Sequence, residues 1–276
     1  MGTRHVVWGS LFLFALFSAT AVFADTISGS GTATFQNWVA KNLKNNGKPY
    51  WDNKSLDGTN KKQQKQSNVG FYLTGESAVP LDDGPDAALP YWGTSGKSKK
   101  KTGGNADLNF HFQTDSTAPT NTALLRLEVD SAANIDEFGW YDEKNPSVLH
   151  PLFLGPESPV TDDTFTPSAQ YGFYLKRGDQ ATFYTDSSLN PYKDKSHHHF
   201  AVFEESATPG AEVYWIGIEN RTRLELKGKE GGLGDYNDML IRISCLSPPL
   251  PVPDPSAAFL ALSGISLTTM LLIRRK

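Results

Sequence analysis

The chain has 276 residues, of which 38% are hydrophobic, 12% aromatic and 20% charged, with a formal net charge of −4. That balance argues against a nucleic-acid-binding surface, which calls for a basic patch on a basic domain. One cysteine, Cys245, excludes an intramolecular disulfide.

Met1 to Ala24 opens with Arg4 and His5, continues through an apolar stretch from Val6 to Phe17, and passes through small residues leading to Val22-Phe23-Ala24. This is the layout of a secretory signal peptide, with cleavage after Ala24 making Asp25 the first mature residue. Without the two ends, about 220 residues remain, enough for one domain or two small ones. They carry 22 basic and 29 acidic side chains, a formal charge of −7.

Phe35 to Leu43 (FQNWVAKNL) is the best short helical pattern, and it runs soon into the turn-rich Asn45-Asn46-Gly47. Residues 45–68 and 82–105 are rich in Gly, Lys, Asn and Gln and read as exposed loops, with lysines 61, 62, 65, 97, 99, 100 and 101 as solvated charge. Thr122–Asp130, Gln170–Lys176, Ala181–Thr185, His198–Glu204, Glu212–Ile218 and Met239–Ser244 are short β-branched or aromatic runs, most of them bounded by turn residues. Such a succession, without helices between the strands, predicts an all-β, antiparallel sandwich of jelly-roll type. The expected organisation is a signal peptide (1–24), an N-terminal part with polar loops (25–132), a β-sandwich part (133–246), a proline-rich stalk (247–256), and a single transmembrane helix with a basic tail (257–276).

Three candidate sites arise along the way. On a strand, His197 and His199 would share one face and offer two imidazoles for Zn²⁺, with Asp194 or Glu204 as a third ligand. No second metal motif supports this, so a surface run without a strong site is expected. The acidic pairs Asp82-Asp83 and Asp162-Asp163 read as turn residues. No nucleophile elbow, P-loop or dinucleotide fingerprint is present, and the expectation is a non-enzyme. Trp38, Trp51, Trp92, Trp140 and Trp215 are expected mainly in the core, while any exposed on a sandwich face would suit sugar stacking.

The third is Glu219 to Ser244. Gly231, Gly232 and Gly234 permit a tight turn, after which Asp235, Asn237 and Asp238 put three oxygen-bearing side chains within four residues. Hard cations prefer such oxygens, so structural Ca²⁺ on Asp235, Asn237 and Asp238, with Glu219 next, is one reading of the segment; a β-turn capped by the Asp and Asn side chains, without an ion, is the other. The EF-hand spacing is absent.

The tail begins with the stalk, passes Pro253, Asp254 and Pro255, and continues in 17 mainly apolar residues from Ala257 to Ile273 before Arg274, Arg275 and Lys276. Seventeen residues are about the lower limit for spanning a bilayer core of roughly 30 Å, and the terminal cations should stay cytoplasmic. This tail resembles the PEP-CTERM sorting signal of Gram-negative bacteria, with Asp254 where Glu is usual. The resemblance implies recognition by an exosortase-type membrane protease, following signal peptidase. The turn before Met239 resembles a motif of exported β domains with such tails, in which a strand ending in Glu-Asp leads through a Gly-rich turn to Asp-Tyr-Asn-Asp. Here Asn220 replaces the second acid, which implies a weaker cation site. The function implied is an exported, non-catalytic envelope or extracellular-matrix protein, structural or adhesive, with polysaccharide as an extracellular partner. The alternative is a carbohydrate-binding module or glycan-active enzyme on the same sandwich.

Overall fold

The computed structural model describes residues 25–29, 31–39, 49–51, 68–77, 81, 84–94, 108–114, 120–128, 136–155, 161–178, 181–191, 194–195, 197–205, 211–222 and 234–246. The tail from Pro251, the signal segment through Ala24, Gly231 and Gly232 lie outside them. Among the described residues no helix is long and apolar enough to cross a membrane.

Thirteen strands form two antiparallel sheets among the described residues. The first, sheet A, contains β1 (Thr26–Gly29), β4 (Phe110–Gln113), β9 (Gln170–Arg177), β6 (Asp136–Asp142) and β7 (Asn145–Leu154) in that order, with β10 (Ala181–Tyr184) also paired to β9. The second, sheet B, runs β2 (Thr34–Gln36), β3 (Tyr91–Gly93), β11 (Phe200–Glu205), β12 (Ala211–Ile218), β13 (Met239–Leu246), β5 (Thr120–Glu128), β8 (Thr161–Phe165). Strands from residues 25–132 and 133–246 interleave in both sheets, as the all-β sandwich expectation allows.

The space between the sheets is aromatic. Phe112 of sheet A meets Tyr214 of sheet B edge to face at 5.2 Å and stacks on Tyr171 at 5.3 Å. Along β9, Tyr171, Phe173 and Leu175 fall on this inner face by the two-residue period of a strand. Sheet B is covered on its outer face too. Trp51 packs edge to face on Phe203 and Tyr91, and Val69 of the short helix α1 (Val69–Leu73) lies against Gly217. Strands covered on both sides read as continuous apolar runs, which is why Ala201-Val202-Phe203 and Tyr214-Trp215-Ile216 do not alternate with polar residues.

Four sequence expectations change. In the described part of Phe35–Leu43, residues 35–39, no helix forms: Thr34–Gln36 pairs with β3, and Phe35 finds Trp92 at 5.3 Å and Tyr214 at 6.3 Å, so tertiary partners outweigh a weak local pattern there. The two lysine-rich stretches are not wholly exposed, because Trp51, Tyr91 and Trp92 in them are buried, and in the second Tyr91–Gly93 forms strand β3. Asp162 and Asp163 sit in strand β8 rather than in a turn, exposed at the edge of sheet B where carboxylates deter strand addition. Residues 197–199 precede β11 instead of starting it, and all three imidazoles are buried.

Candidate functional site

Strand register gives the sandwich two poles. At one, Ile218 of β12 pairs with Met239 of β13, and Met239 with Glu128 of β5; at the other, Ala211 pairs with Leu246 and Leu246 with Thr120. The acidic turn joins β12 to β13 at the first pole. Phe200 pairs with Ile218, so the histidines preceding β11 come to the same pole.

There the four residues expected to ligate Ca²⁺ are gathered. Glu219 is only 1% exposed; its Oε2 accepts the Asp235 N–H at 3.2 Å and its Oε1 the Arg221 N–H at 3.1 Å. Asp238 lies beside it, and one Asp238 oxygen accepts the Asn220 N–H at 2.8 Å. Asp235 and Asn237 are buried, and the Asp235 carbonyl accepts the N–H of Val69 at the start of α1. Burial first, then the charges of Asp238 and Asp235, push the Glu219 carboxyl well above its usual range, so it holds a proton where an ordinary glutamate would not.

Gly234 has a spatial duty rather than a conformational one. A Cβ there would collide with the Glu219 carboxyl. The left-handed backbone falls on Tyr236 instead, at φ 54°, a conformation that non-glycine residues adopt at a cost. Its compensation is burial: the Tyr236 hydroxyl donates to the His198 carbonyl at 2.8 Å, and its ring meets Tyr50 edge to face at 5.5 Å. Gly217 makes room for the Tyr236 carbonyl.

Asn220, read as a weakened ligand position, has its own partner. Its amide donates to Asp136 Oδ2 at 3.1 Å, tying the turn of sheet B to the first residue of β6 in sheet A. An aspartate at 220 could not donate and would face Asp136 with a second carboxylate. Asn220 thus serves to join the two sheets at this pole.

The histidines form the adjoining wall. His199 Nδ1 lies 2.8 Å from the Glu219 carbonyl, which can only accept, so Nδ1 carries the proton. The ring stacks on Phe183 at 3.7 Å and meets His197 edge to face at 4.8 Å. Burial, followed by His197, holds His199 well below the usual imidazole range, so its 3.8 Å approach to Asp194 is between a neutral ring and a carboxylate rather than an ion pair. Of the two candidate third ligands, Asp194 is brought to the ring; Glu204 lies at the far end of β11, opposite Tyr214. Among the described residues no three His, Cys, Asp or Glu side chains are arranged to hold a metal ion. The oxygen donors at 219–238 suit a hard cation in kind, and as placed several of them are turned to main-chain amides.

The tryptophans leave little surface for stacking. Trp51, Trp92 and Trp215 are in the core, and Trp38 and Trp140 pack against it; Trp140 stacks on His150 at 3.9 Å.

No protein-family model and no curated protein matches the chain. Three similar solved structures are bacterial lectins. Chromobacterium violaceum lectin CV2L, in complex with alpha-methyl-fucoside, is 8% identical with a TM-score of 0.29 over 50% of this chain and 96% of that one. The C-terminal domain of Burkholderia cenocepacia lectin BC2L-C is 10% identical with a TM-score of 0.31, over 50% and 96%. The Ralstonia solanacearum high-affinity mannose-binding lectin is 12% identical with a TM-score of 0.28, over 48% and 90%. Likeness at this level transfers no ligand and no site residue.

Proposed function

We propose that this is an exported, non-catalytic envelope or extracellular-matrix protein, structural or adhesive in role, delivered by a PEP-CTERM-type tail and stiffened by Ca²⁺ at its outer pole. The observation that supports this is the direction of β13. The strand starts at the acidic turn and ends at Leu246, after which the proline stalk leads to Pro253, Asp254 and Pro255. The seven steps between its eight residues, at about 3.3 Å each, separate the poles by roughly 23 Å. A domain held through residues beyond Leu246 stands on that pole and turns the 219–238 segment outward.

In this reading signal peptidase releases Asp25. The 257–273 helix holds the chain in the membrane with Arg274, Arg275 and Lys276 on the cytoplasmic side until an exosortase-type protease acts. Asp235, Asn237, Asp238 and Glu219 supply the Ca²⁺ ligands, and the cation takes the place of the proton that Glu219 otherwise holds. Mass spectrometry of the mature C-terminus from native cells tests the sorting: loss of everything after the Pro-Asp-Pro region is expected, and an intact Lys276 refutes it. Thermal unfolding tests the cation. The midpoint should be higher with Ca²⁺ than with EDTA, and identical midpoints refute Ca²⁺ binding.

A further inference from the structure

At the acidic pole one residue holds a carboxylate of each sheet. The Asn220 main-chain N–H donates to Asp238 Oδ2 at 2.8 Å, and its side-chain amide donates to Asp136 Oδ2 at 3.1 Å. Asp238 stands at the foot of β13 in sheet B, where its own N–H donates to the Ile218 carbonyl at 3.1 Å, while Asp136 opens β6 in sheet A. Asp136 and Asn220 are each only 3% exposed, so the bond between them is shielded from competing water. The next residue works in the same way, since the Arg221 N–H donates to Glu219 Oε1 at 3.1 Å. The main chain at 220–221 therefore aims two of the four candidate Ca²⁺ ligands, Asp238 and Glu219, and is itself tied to sheet A through the Asn220 side chain. A separate joint lies at the far end of the strands. There Asp25 Oδ2 accepts from the Tyr171 hydroxyl of sheet A at 2.8 Å and the Asn121 amide of sheet B at 2.6 Å, and the Asp25 carbonyl accepts from the Tyr214 hydroxyl at 3.0 Å.

A hard cation is held by oxygens whose directions the protein has set beforehand, and the groups that orient the ligands matter to affinity nearly as much as the ligands. We infer that Asp136 is a positioning residue of the cation site: acting through Asn220 it sets the direction of Asp238, so that Ca²⁺ binding and the docking of sheet A at this pole reinforce each other. This inference rests on the Ca²⁺ reading above. All four candidate ligands come from the connection between β12 and β13 of sheet B, and Asp136 brings sheet A into the site. Released from Asp136, residue 220 can swing away, and Asp238 loses the N–H that orients it. The effect runs both ways by thermodynamic necessity, because an ion that grips Asp238 also holds residue 220 and with it the bond to sheet A.

The test measures Ca²⁺ affinity by titration calorimetry on the full chain in detergent, beside unfolding midpoints in EDTA. Asn220→Ala and Asp136→Leu should each bind Ca²⁺ about tenfold more weakly than wild type. Asp136→Asn keeps an oxygen to accept from Asn220 and should bind near the wild-type value; if it falls with Asp136→Leu, the effect is one of charge and the positioning role is overturned. Asn121→Ala breaks the joint at the other pole and controls for general loosening of the sandwich. It should lower the EDTA midpoint and keep wild-type affinity, and an equal loss of affinity there overturns the proposal. Wild-type affinity in Asn220→Ala overturns it too, whatever its midpoint. Where these variants do not fold, hydrogen exchange in the wild-type chain decides. Ca²⁺ should slow exchange of the Gly155 N–H, bonded to the Asp136 carbonyl at 2.7 Å, more than that of the Thr114 N–H, bonded to the Ala169 carbonyl at 3.0 Å toward the far pole. Equal slowing overturns the coupling. A wild-type chain that takes up no Ca²⁺ is a separate result: it refutes the Ca²⁺ reading itself, and the inference with it.

Discussion

Adding a single methyl group at Gly234 should destabilise the domain through one neighbour, Glu219. A Cβ at 234 would lie 2.6 Å from Glu219 Cγ and 2.7 Å from Cδ, with Oε2 closer still. No left-handed φ is involved at Gly234, so the cost of Gly234→Ala is one of space. The carboxyl cannot retreat freely, because it is buried and both oxygens accept main-chain N–H groups, from Asp235 and Arg221. Overpacking of this kind costs about 1–3 kcal/mol, and loss of the Asp235 bond adds about 1 kcal/mol. The total, about 2–4 kcal/mol, corresponds to roughly 5–15 °C of Tm for a domain of this size. Near-UV circular dichroism in EDTA measures it. Shortening the neighbour with Glu219→Ala removes the obstacle, and in that background Gly234→Ala should cost less than about 1 kcal/mol. A Gly234→Ala midpoint equal to wild type, or the same decrement in both backgrounds, would refute the geometry.

Two further perturbations address the same pole. The raised Glu219 means that the folded state keeps a proton which the unfolded chain releases above its ordinary value of 4.5; stability present below that pH is therefore lost as pH rises toward the folded value. Without Ca²⁺, Glu219→Gln should be flatter than wild type from about pH 4.5 upward, measured as urea midpoint against pH, and two parallel profiles would count against a protonated Glu219. Asn220→Asp should cost about 3 kcal/mol, since it removes the 3.1 Å bond and sets two buried carboxylates face to face. An unchanged urea midpoint would show that the bond to Asp136 does not hold the sheets together.

Strand identity was legible because it is a local property. In β9, β12 and β13 the aromatic and β-branched runs coincide with the strands to within two residues, since the pleat alone dictates which side chains share a face. The composition of the acidic turn was legible as well, with Asp235, Asn237 and Asp238 directly after the glycines. Partners remote in sequence were not. Nothing near Phe35 announces β3 or Tyr214, and nothing near Trp51, in a stretch of lysines and asparagines, announces the outer face of sheet B. Asn220 looked like a lost cation ligand because its use is set by Asp136, 84 positions away.

From the sequence alone follow the short strands, the exclusion of an intramolecular disulfide by a lone cysteine and the acidic balance. These rest on composition and short-range period. The assignment of strands to two sheets, the burial of three histidines, and the meeting of Asp25 with Tyr171, Asn121 and Tyr214 depend on which distant strands pair and in which register. A one-residue slip turns every side chain of a strand to the other face, so those joints exist only when the whole sandwich has closed.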